Sequence, residues 1–539
     1  MKRRGSFALL LALVLALSLL TSAAAAGKEF YEPSGKVVIL HTNDVHGRAM
    51  TDLTAGTLGY ATIAQIKKDL QEMGASVLLL DAGDASQGMP IVNLSFGKAA
   101  MEFMNAAGYD AMVPGNHEFD WGIDNLLQNR EAAEFPMLAA NVLDKISGEP
   151  VFQTNAVFEM SNGAKIGVFG LVTPESLTKA HPDKVRGIDI LMGEDLYACA
   201  QAQIDELKAE GCDLVVCLGH LGVDAESEPN RSTDVIEHTA GIDLFIDGHS
   251  HTLIDGGQQV GGTLLVSTGE YGKKLGVVVF DGSTLQASLY ANPSNAEVAA
   301  AVKAVNDEVT AQLAEVFAVT EVTLNGERDP GVRTQETNLG DFAADALLWA
   351  ACQALGDRVV AAVTNGGGIR ASIQAGDISM NDMKTVFPFG NEVTVLTVTG
   401  AELLEALEAA TCITPAAIGA FPQVAGIVFT IDTTVAYEPG ELYPDSTYHQ
   451  PAKPGSRVTI VTVGGQPFDA DAQYTIATND FTAAGGDTFY VFKYPNAVSG
   501  YKTGVSLEDA LVQYVTAELD GVVGAQYAEP QGRITIIGE

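Results

Sequence analysis

"YDAMVPGNHEFDWG", Tyr109–Gly122, is the stretch on which the reading of this chain turns. Its first half is apolar and closes at Pro114 and Gly115, where a strand should end. Its second half crowds Asn116, His117, Glu118 and Asp120 together before Trp121 and Gly122. Gly, Asn and Asp are turn formers, so a plain turn is the bland reading. A reaction centre needs the same placement, because ligands of open α/β sheets bind beyond the carboxyl ends of the strands.

Working outward, the same pattern recurs. Between residues 34 and 285 short β-rich runs alternate with helical stretches such as "YATIAQIKKDLQEMG" and "LYACAQAQIDELKAEG". The runs read "VVILHTND", "SVLLLDAGD", "AMVPGNH", "PMLAANV", "KIGVFGLVT", "DLVVCLGH", "LFIDGHS" and "LLVSTGE". Alternation of this kind predicts an α/β layered domain with apolar strands covered by helices. Five of the runs end in Asp, His or Asn, which weighs against the turn. An Ala/Val/Glu-rich segment at 294–318 has helical spacing and suits a semi-rigid connector. From 320 to 539 a second mixed α/β pattern follows, with a helix at "LGDFAADALLWAACQALG" and a glycine-rich turn at "TNGGGIR".

Composition narrows the function. At 539 residues the chain exceeds a single core, and its 47% hydrophobic content is that of a folded protein. A formal net charge of −38 repels nucleic acid polymers and anionic membranes. An anionic substrate therefore needs local positive charge from metal ions or placed arginines. Residues 1–26 read as a secretory signal peptide, with a basic "MKRR", an apolar "ALLLALVLALSLL" and a small-residue "SAAAA". No membrane anchor is signalled, so the mature protein is expected outside the cytoplasm, periplasmic or extracellular. Five cysteines without a C-x-x-C pair do not make a disulfide framework, and Cys217 reads as a buried apolar side chain.

The strand ends supply Asp44 and His46, Asp84, Asn116 and His117, His220, and His249 and His251. Histidine with carboxylate suits zinc, manganese or iron(II), and the mixture is typical of a dinuclear hydrolase. Such a site needs one bridging carboxylate, for which Asp84 is placed. Asp44, His46 and His251 then complete one ion, and Asn116, His220 and His249 the other. His117 and Asp120, three residues apart, share a face of a helical turn. A carboxylate on that imidazole fixes its tautomer and suits it to bind phosphoryl oxygens or assist a leaving oxygen. Glu118 is read as structural.

"ILHTNDVHG", "DAGDASQG", "GNHEFD", "GHLG" and "GHSH", in this order, resemble the calcineurin-like metallophosphoesterases, and within them the secreted 5′-nucleotidase family. The resemblance implies a four-layer α/β/β/α metallophosphatase domain with two divalent ions, joined by a helix to a mixed α/β substrate-binding domain. It also implies a role for the second half. Asn365 and Arg370 in "TNGGGIR", Phe389 and Asn391 in "FPFGNEV", Phe481 and Asp487 in "NDFTAAGGDTF", and Arg333 look like the family's substrate pocket. There two phenylalanines sandwich the base, an aspartate takes the ribose hydroxyls, and arginines hold phosphate. One departure stands out: where similar bacterial enzymes often carry a second arginine four positions before Arg333, this chain has Asp329, with Arg328 beside it. Monophosphates become the safer expectation. The implied activity is removal of the 5′-phosphate from nucleotides. Alternatives on the same scaffold are a 2′,3′-cyclic nucleotide phosphodiesterase with 3′-nucleotidase activity, a UDP-sugar hydrolase and a sulfur-ester hydrolase. A binding protein that had lost catalysis should lack ligands, and none is missing.

Overall fold

The computed structural model describes residues 33–52, 55–290, 296–493 and 498–538. The predicted signal segment at 1–26 lies outside the described residues.

Two sheets organise the first half. One runs Leu285–Tyr290, Leu275–Phe280, Val37–Thr42, Ser76–Asp81 and Ala111–Met112, with the last three strands parallel. The other runs Leu253–Val260, Thr263–Thr268, Leu244–Ile246, Leu214–His220, Lys165–Val172 and Asn155–Glu159, with its four central strands parallel. Strand side chains alternate between faces, and the second sheet uses both. Val216 and Leu218 join the main core with Leu40 and Leu80 of the first sheet. Val215, Cys217 and Phe245 face the opposite way, onto Leu196, Ala200 and Ile204 of the helix Glu194–Ala209. Helices Gly59–Glu72 and Lys98–Ala107 cover the first sheet through Ile63, Ile66, Met101 and Met104. The order is helices, sheet, sheet, helices: the expected four layers.

Two predicted strands differ. "AMVPGNH" pairs only at Ala111–Met112, since Pro114 lacks the N–H that a ladder needs. "PMLAANV" pairs by isolated bridges at Met137 and Leu138 and enters a regular strand only at Val142, although Met137, Leu138 and Ala139 are buried in the core. None of the five cysteines forms a disulfide, and Cys217 is fully buried.

The helix Ala296–Leu313 then buries Val302 and Val309, so it is docked along one face rather than free. The second half is built on the sheet Pro422–Ala425, Val359–Asn365, Gln473–Asn479, Glu392–Thr399 and Val498–Ser506. Helix Asn338–Leu355 packs on one face through Leu339, Phe342 and Leu347. Its first turn is capped by Thr337, whose hydroxyl accepts from the Gly340 N–H at 3.0 Å. Among the described residues no helix is long and apolar enough to cross a membrane.

Candidate active site

The polar strand ends converge. Asp44 and His46 follow Val37–Thr42, Asp84 follows Ser76–Asp81, and Asn116 and His117 follow Ala111–Met112. His220 ends its strand in the second sheet, and His249 and His251 follow Leu244–Ile246. The ligating atoms of Asp44, His46, Asp84 and His251 all lie within 4.8 Å of one another. His220 Nε2 is 3.2 Å from Asp84 Oδ2, and His249 Nδ1 is 2.8 Å from Asn116 Oδ1, itself 3.3 Å from His220 Nε2. Asp84 thus adjoins both groups.

The backbone is strained to achieve this. Asp44, His46, Asp84, His249 and His251 all have φ between 47° and 77°, the left-handed region that side chains other than glycine seldom adopt. Close approach also fixes two glycines. A Cβ on Gly115 would fall 2.2 Å from Asp84 Oδ1, and one on Gly248 would fall 2.7 Å from the Ala82 carbonyl oxygen. Gly115 of the opening stretch therefore serves the neighbouring strand's carboxylate as well as its own turn.

Each imidazole is held by the nitrogen that does not face the centre. Ala82 O lies 2.6 Å from His220 Nδ1, and Gln87 O lies 3.2 Å from His46 Nδ1. Glu175 Oε2 is 3.1 Å from His249 Nε2, and Glu270 Oε2 is 2.7 Å from His251 Nδ1. Acceptors behind histidines that present their other nitrogen inward are the usual support of metal ligands. The donor chemistry agrees. Burial pushes His46 well below the ordinary imidazole range, towards the neutral form that binds cations. His46 Nε2 and His251 Nε2 face each other at 3.1 Å, an arrangement that a cation between them and Asp44 would neutralise. Burial opposes charge on both members of the Asp84–His220 pair, yet His220 and His117 hold the Asp84 carboxyl well below its usual range and Asp84 pushes His220 up to about 10. A cation bound here would therefore displace the His220 proton. These residues fit a divalent metal.

Within the 3₁₀ turn Asn116–Phe119, His117 Nδ1 is 2.8 Å from Asp120 Oδ2. Phe389, from the other half of the chain, stacks on the His117 ring at 5.5 Å and 25°. Glu118 is fully occupied with structure: its carboxylate accepts the N–H groups of Asp84, Ala85, Ser86 and Gly115 at 2.6–2.9 Å.

Both halves line one cleft of about 880 Å³. Asp84, Asn116, His117, Asp120, His249 and His251 form its metal side. Arg333, Asn365, Arg370, Phe389, Asn391, Phe481 and Asp487 form the other. Asp44, His46 and His220 are buried behind them. Asn365 Nδ2 donates to Asp487 Oδ2 at 3.1 Å, and Gly486 is forced, since a Cβ there would lie 2.4 Å from the Phe481 ring. Burial, then Arg328 and Arg370 beside it, pushes Arg333 down to about 9.

Sequence reasoning missed several residues that support this site. Glu175 and Glu270 were not singled out, and neither was Lys179, which pairs with Glu226 and lies 3.7 Å from both Glu175 and Asp487. Tyr448 OH donates to the same Glu226 at 2.5 Å, and the Asp487 N–H donates to Thr178 O at 3.0 Å, so this network joins the halves. The only local signal for Glu175 and Glu270 is their position just after apolar runs, in "LVTPE" and "LLVSTGE".

Comparison with known proteins gives a consistent answer. The family described as calcineurin-like phosphoesterase matches residues 37–253, and the 5′-nucleotidase C-terminal domain matches 316–494. The chain is 31% identical to a 5′-nucleotidase of Vibrio cholerae, over 89% of this chain and 90% of that one. It is 33% identical to the trifunctional nucleotide phosphoesterase YfkN of Bacillus subtilis over 85% of its own length, but spans only 32% of that protein. The crystal structure of a 5′-nucleotidase precursor from Thermus thermophilus, 29% identical, superposes with a TM-score of 0.78 over 94% of this chain and all of that one (100%). With its strand-end donors gathered at one centre and both halves matched in order, the chain belongs to the 5′-nucleotidase family of calcineurin-like metallophosphoesterases.

Proposed function

We propose that this enzyme, a metal-dependent phosphoesterase, removes the 5′-phosphate from nucleotides to give nucleoside and phosphate. One observation carries the proposal: a single cleft is lined by His117 and the metal-side donors on one wall and by Arg333, Arg370, Phe481 and Asp487 on the other. Two divalent ions, zinc or manganese, would be held by Asp44, His46, Asp84 and His251 and by Asp84, Asn116, His220 and His249. When bound they supply positive charge against the phosphoryl oxygens and lower the pKa of water.

The protein's own groups do the rest. Asp120 fixes Nδ1 of His117, which leaves Nε2 to face the phosphoryl group and the leaving 5′ oxygen. Phe389, which the family resemblance pairs with Phe481 around the base, stacks on that imidazole instead. Arg333 and Arg370 neutralise phosphoryl charge through guanidinium forks that match its oxygens. Asp487, oriented by Asn365, accepts from the sugar hydroxyls, and Phe481 offers a face to any base. We place the substrate-binding unit at 320–539 and the metal unit at 34–285, with 294–318 between them. Secretion is part of the same reading, on the strength of the apolar N-terminal run.

The test is phosphate release from nucleoside 5′-monophosphates, 2′,3′-cyclic nucleotides and UDP-glucose, with and without chelator. Chelator-sensitive release, fastest from the 5′-monophosphates, is expected. Release that ignores chelator, or that favours the cyclic or sugar nucleotides, would overturn the assignment.

A further inference from the structure

Two buried carboxylates do different work, Glu175 behind His249 and Asp487 towards the sugar, yet one cation lies near both. Lys179 ends the short helix Ser176–Lys179, which follows the strand Lys165–Val172 of the metal half. Its Nζ lies 3.7 Å from Glu175 Oε2 and 3.7 Å from Asp487 Oδ1, and it donates to Glu226 Oε1. Of the three carboxylates, only Asp487 comes from the far half of the chain.

Asp487 is 4% exposed and held at a φ of 49°, a left-handed conformation that calls for a positional reason. Its two oxygens are fixed by different means. Oδ2 accepts from Asn365 Nδ2 at 3.1 Å, within its own half. Oδ1 faces the Lys179 ammonium at 3.7 Å, too far for a hydrogen bond but near enough for an attraction that burial strengthens. The ammonium thus steadies the carboxylate without occupying the lone pairs that hydroxyls would use. Burial pushes Asp487 up, and Lys179 is the strongest influence bringing it back towards ionisation. The backbone agrees: the Asp487 N–H donates to Thr178 O at 3.0 Å, one residue before the lysine. Gly419 keeps the approach open, since a Cβ there would lie 3.3 Å from Lys179 Nζ and 3.5 Å from Asp487 Oδ1.

A structural ion pair would need only Glu226, which also accepts from Tyr448 OH at 2.5 Å. Three largely buried carboxylates around one ammonium leave an excess of negative charge, which folding alone does not favour. Hydroxyl donors of a sugar diol, arriving at Asp487, relieve it.

We propose that Lys179 is a positioning residue for the sugar: reaching across from the metal half, it aims the Asp487 carboxylate at a vicinal diol and so sets a preference for nucleotides that carry both the 2′ and 3′ hydroxyls. The inference rests on reading the main cleft as a nucleotide site with Asp487 towards the sugar. It deepens that reading by making sugar specificity depend on a residue outside the substrate-binding half.

The metal-loaded full chain is to be compared on adenosine 5′-monophosphate and its 2′,3′-dideoxy analogue. The wild type should favour the diol. Lys179→Met should shrink the KM ratio between the two about tenfold, as loss of a charge-assisted hydrogen bond does, and Lys179→Arg should restore part of it. Combining Lys179→Met with Glu226→Gln removes the charge pair together and carries the same readout if Lys179→Met does not fold. An unchanged ratio would overturn the proposal, whether activity is intact or kcat falls equally on both substrates. The latter would make Lys179 a support of the metal side through Glu175. Calorimetric titration with adenosine and 2′,3′-dideoxyadenosine reads the same preference without catalysis. If no nucleotide is hydrolysed but the titration still shows a Lys179-dependent preference, the activity reading fails and this one stands. Equal binding of the two nucleosides by the wild type would remove the roles of Asp487 and Lys179 together.

Discussion

The two walls of the cleft are built on opposite principles. On the metal wall most donors are over-determined: each of the four imidazoles is backed by an acceptor, and five of the donors sit on strained backbone. On the opposite wall, Arg333 and Arg370 meet no carboxylate partner among the described residues, and Arg333 is held down to about 9 by burial and by its arginine neighbours. A centre meant for small cations must be rigid before they arrive, because ligand geometry decides affinity. A wall meant for a large anion must instead keep donors in reserve, because any internal partner would compete with the substrate. Rigidity marks the one, unsatisfied charge the other.

Variants can break this contrast. The largest effect is expected from Asp84→Asn, which removes the carboxylate adjoining both donor groups. Phosphate release should fall by on the order of 10³ or more, while calorimetric binding of a nucleoside changes little. Joint loss of both would mean that the walls are one cooperative unit. His117→Ala should lower kcat by about 10²–10⁴, as removal of a positioned acid–base group does, with metal content unchanged. Equal losses in kcat and bound metal would instead make His117 a ligand. Phe481→Ala acts on the other wall: stacking is worth about 1–3 kcal/mol, so KM should rise from several-fold to about a hundredfold with metal content unaltered. A kcat defect with unchanged KM would place the base elsewhere.

How far the chain could be read from its sequence follows the same division. The side chains that converge were legible because they sit at or just beyond strand ends, in short motifs. Even there one histidine misleads. His41 lies in the same "HTND" run as Asp44 but points into the core, where burial pushes it down to about 3 and its Nδ1 has no hydrogen-bond partner. Only its place inside the strand, rather than beyond it, separates it from His46. The supports were illegible because they act across the chain: Ala82 on His220, Glu175 on His249, Gln87 on His46. The layered fold was readable from alternating apolar runs, but the edge hairpin Leu253–Val260 with Thr263–Thr268 was only half visible. Its outer strand is largely solvent-facing and carries little apolar pattern.

The smallest effects should come from the supports, and they grade the contrast. Glu175 and Glu270 each hold one imidazole, yet their surroundings differ. The Glu175 side chain is 1% exposed, and burial opposes its ionisation, while His249 and Lys179 bring the carboxyl down to about 2. Glu270 is 25% exposed, and His251 and Lys273 likewise hold it at about 2. Replacing the carboxylate by an amide keeps the shape but removes the charge that steadies the ring. Loss of such a support lowers metal affinity by about 10–100-fold. Electrostatic effects strengthen with burial, so Glu175→Gln should fall near the upper end and Glu270→Gln near the lower. Competitive metal titration against a chromophoric chelator reads both directly. If the half-buried Glu270 proves the more costly to lose, solvent screening does not set the grading. Rigidity at the metal wall would then come from the strained backbone of His251 rather than from the carboxylate behind it.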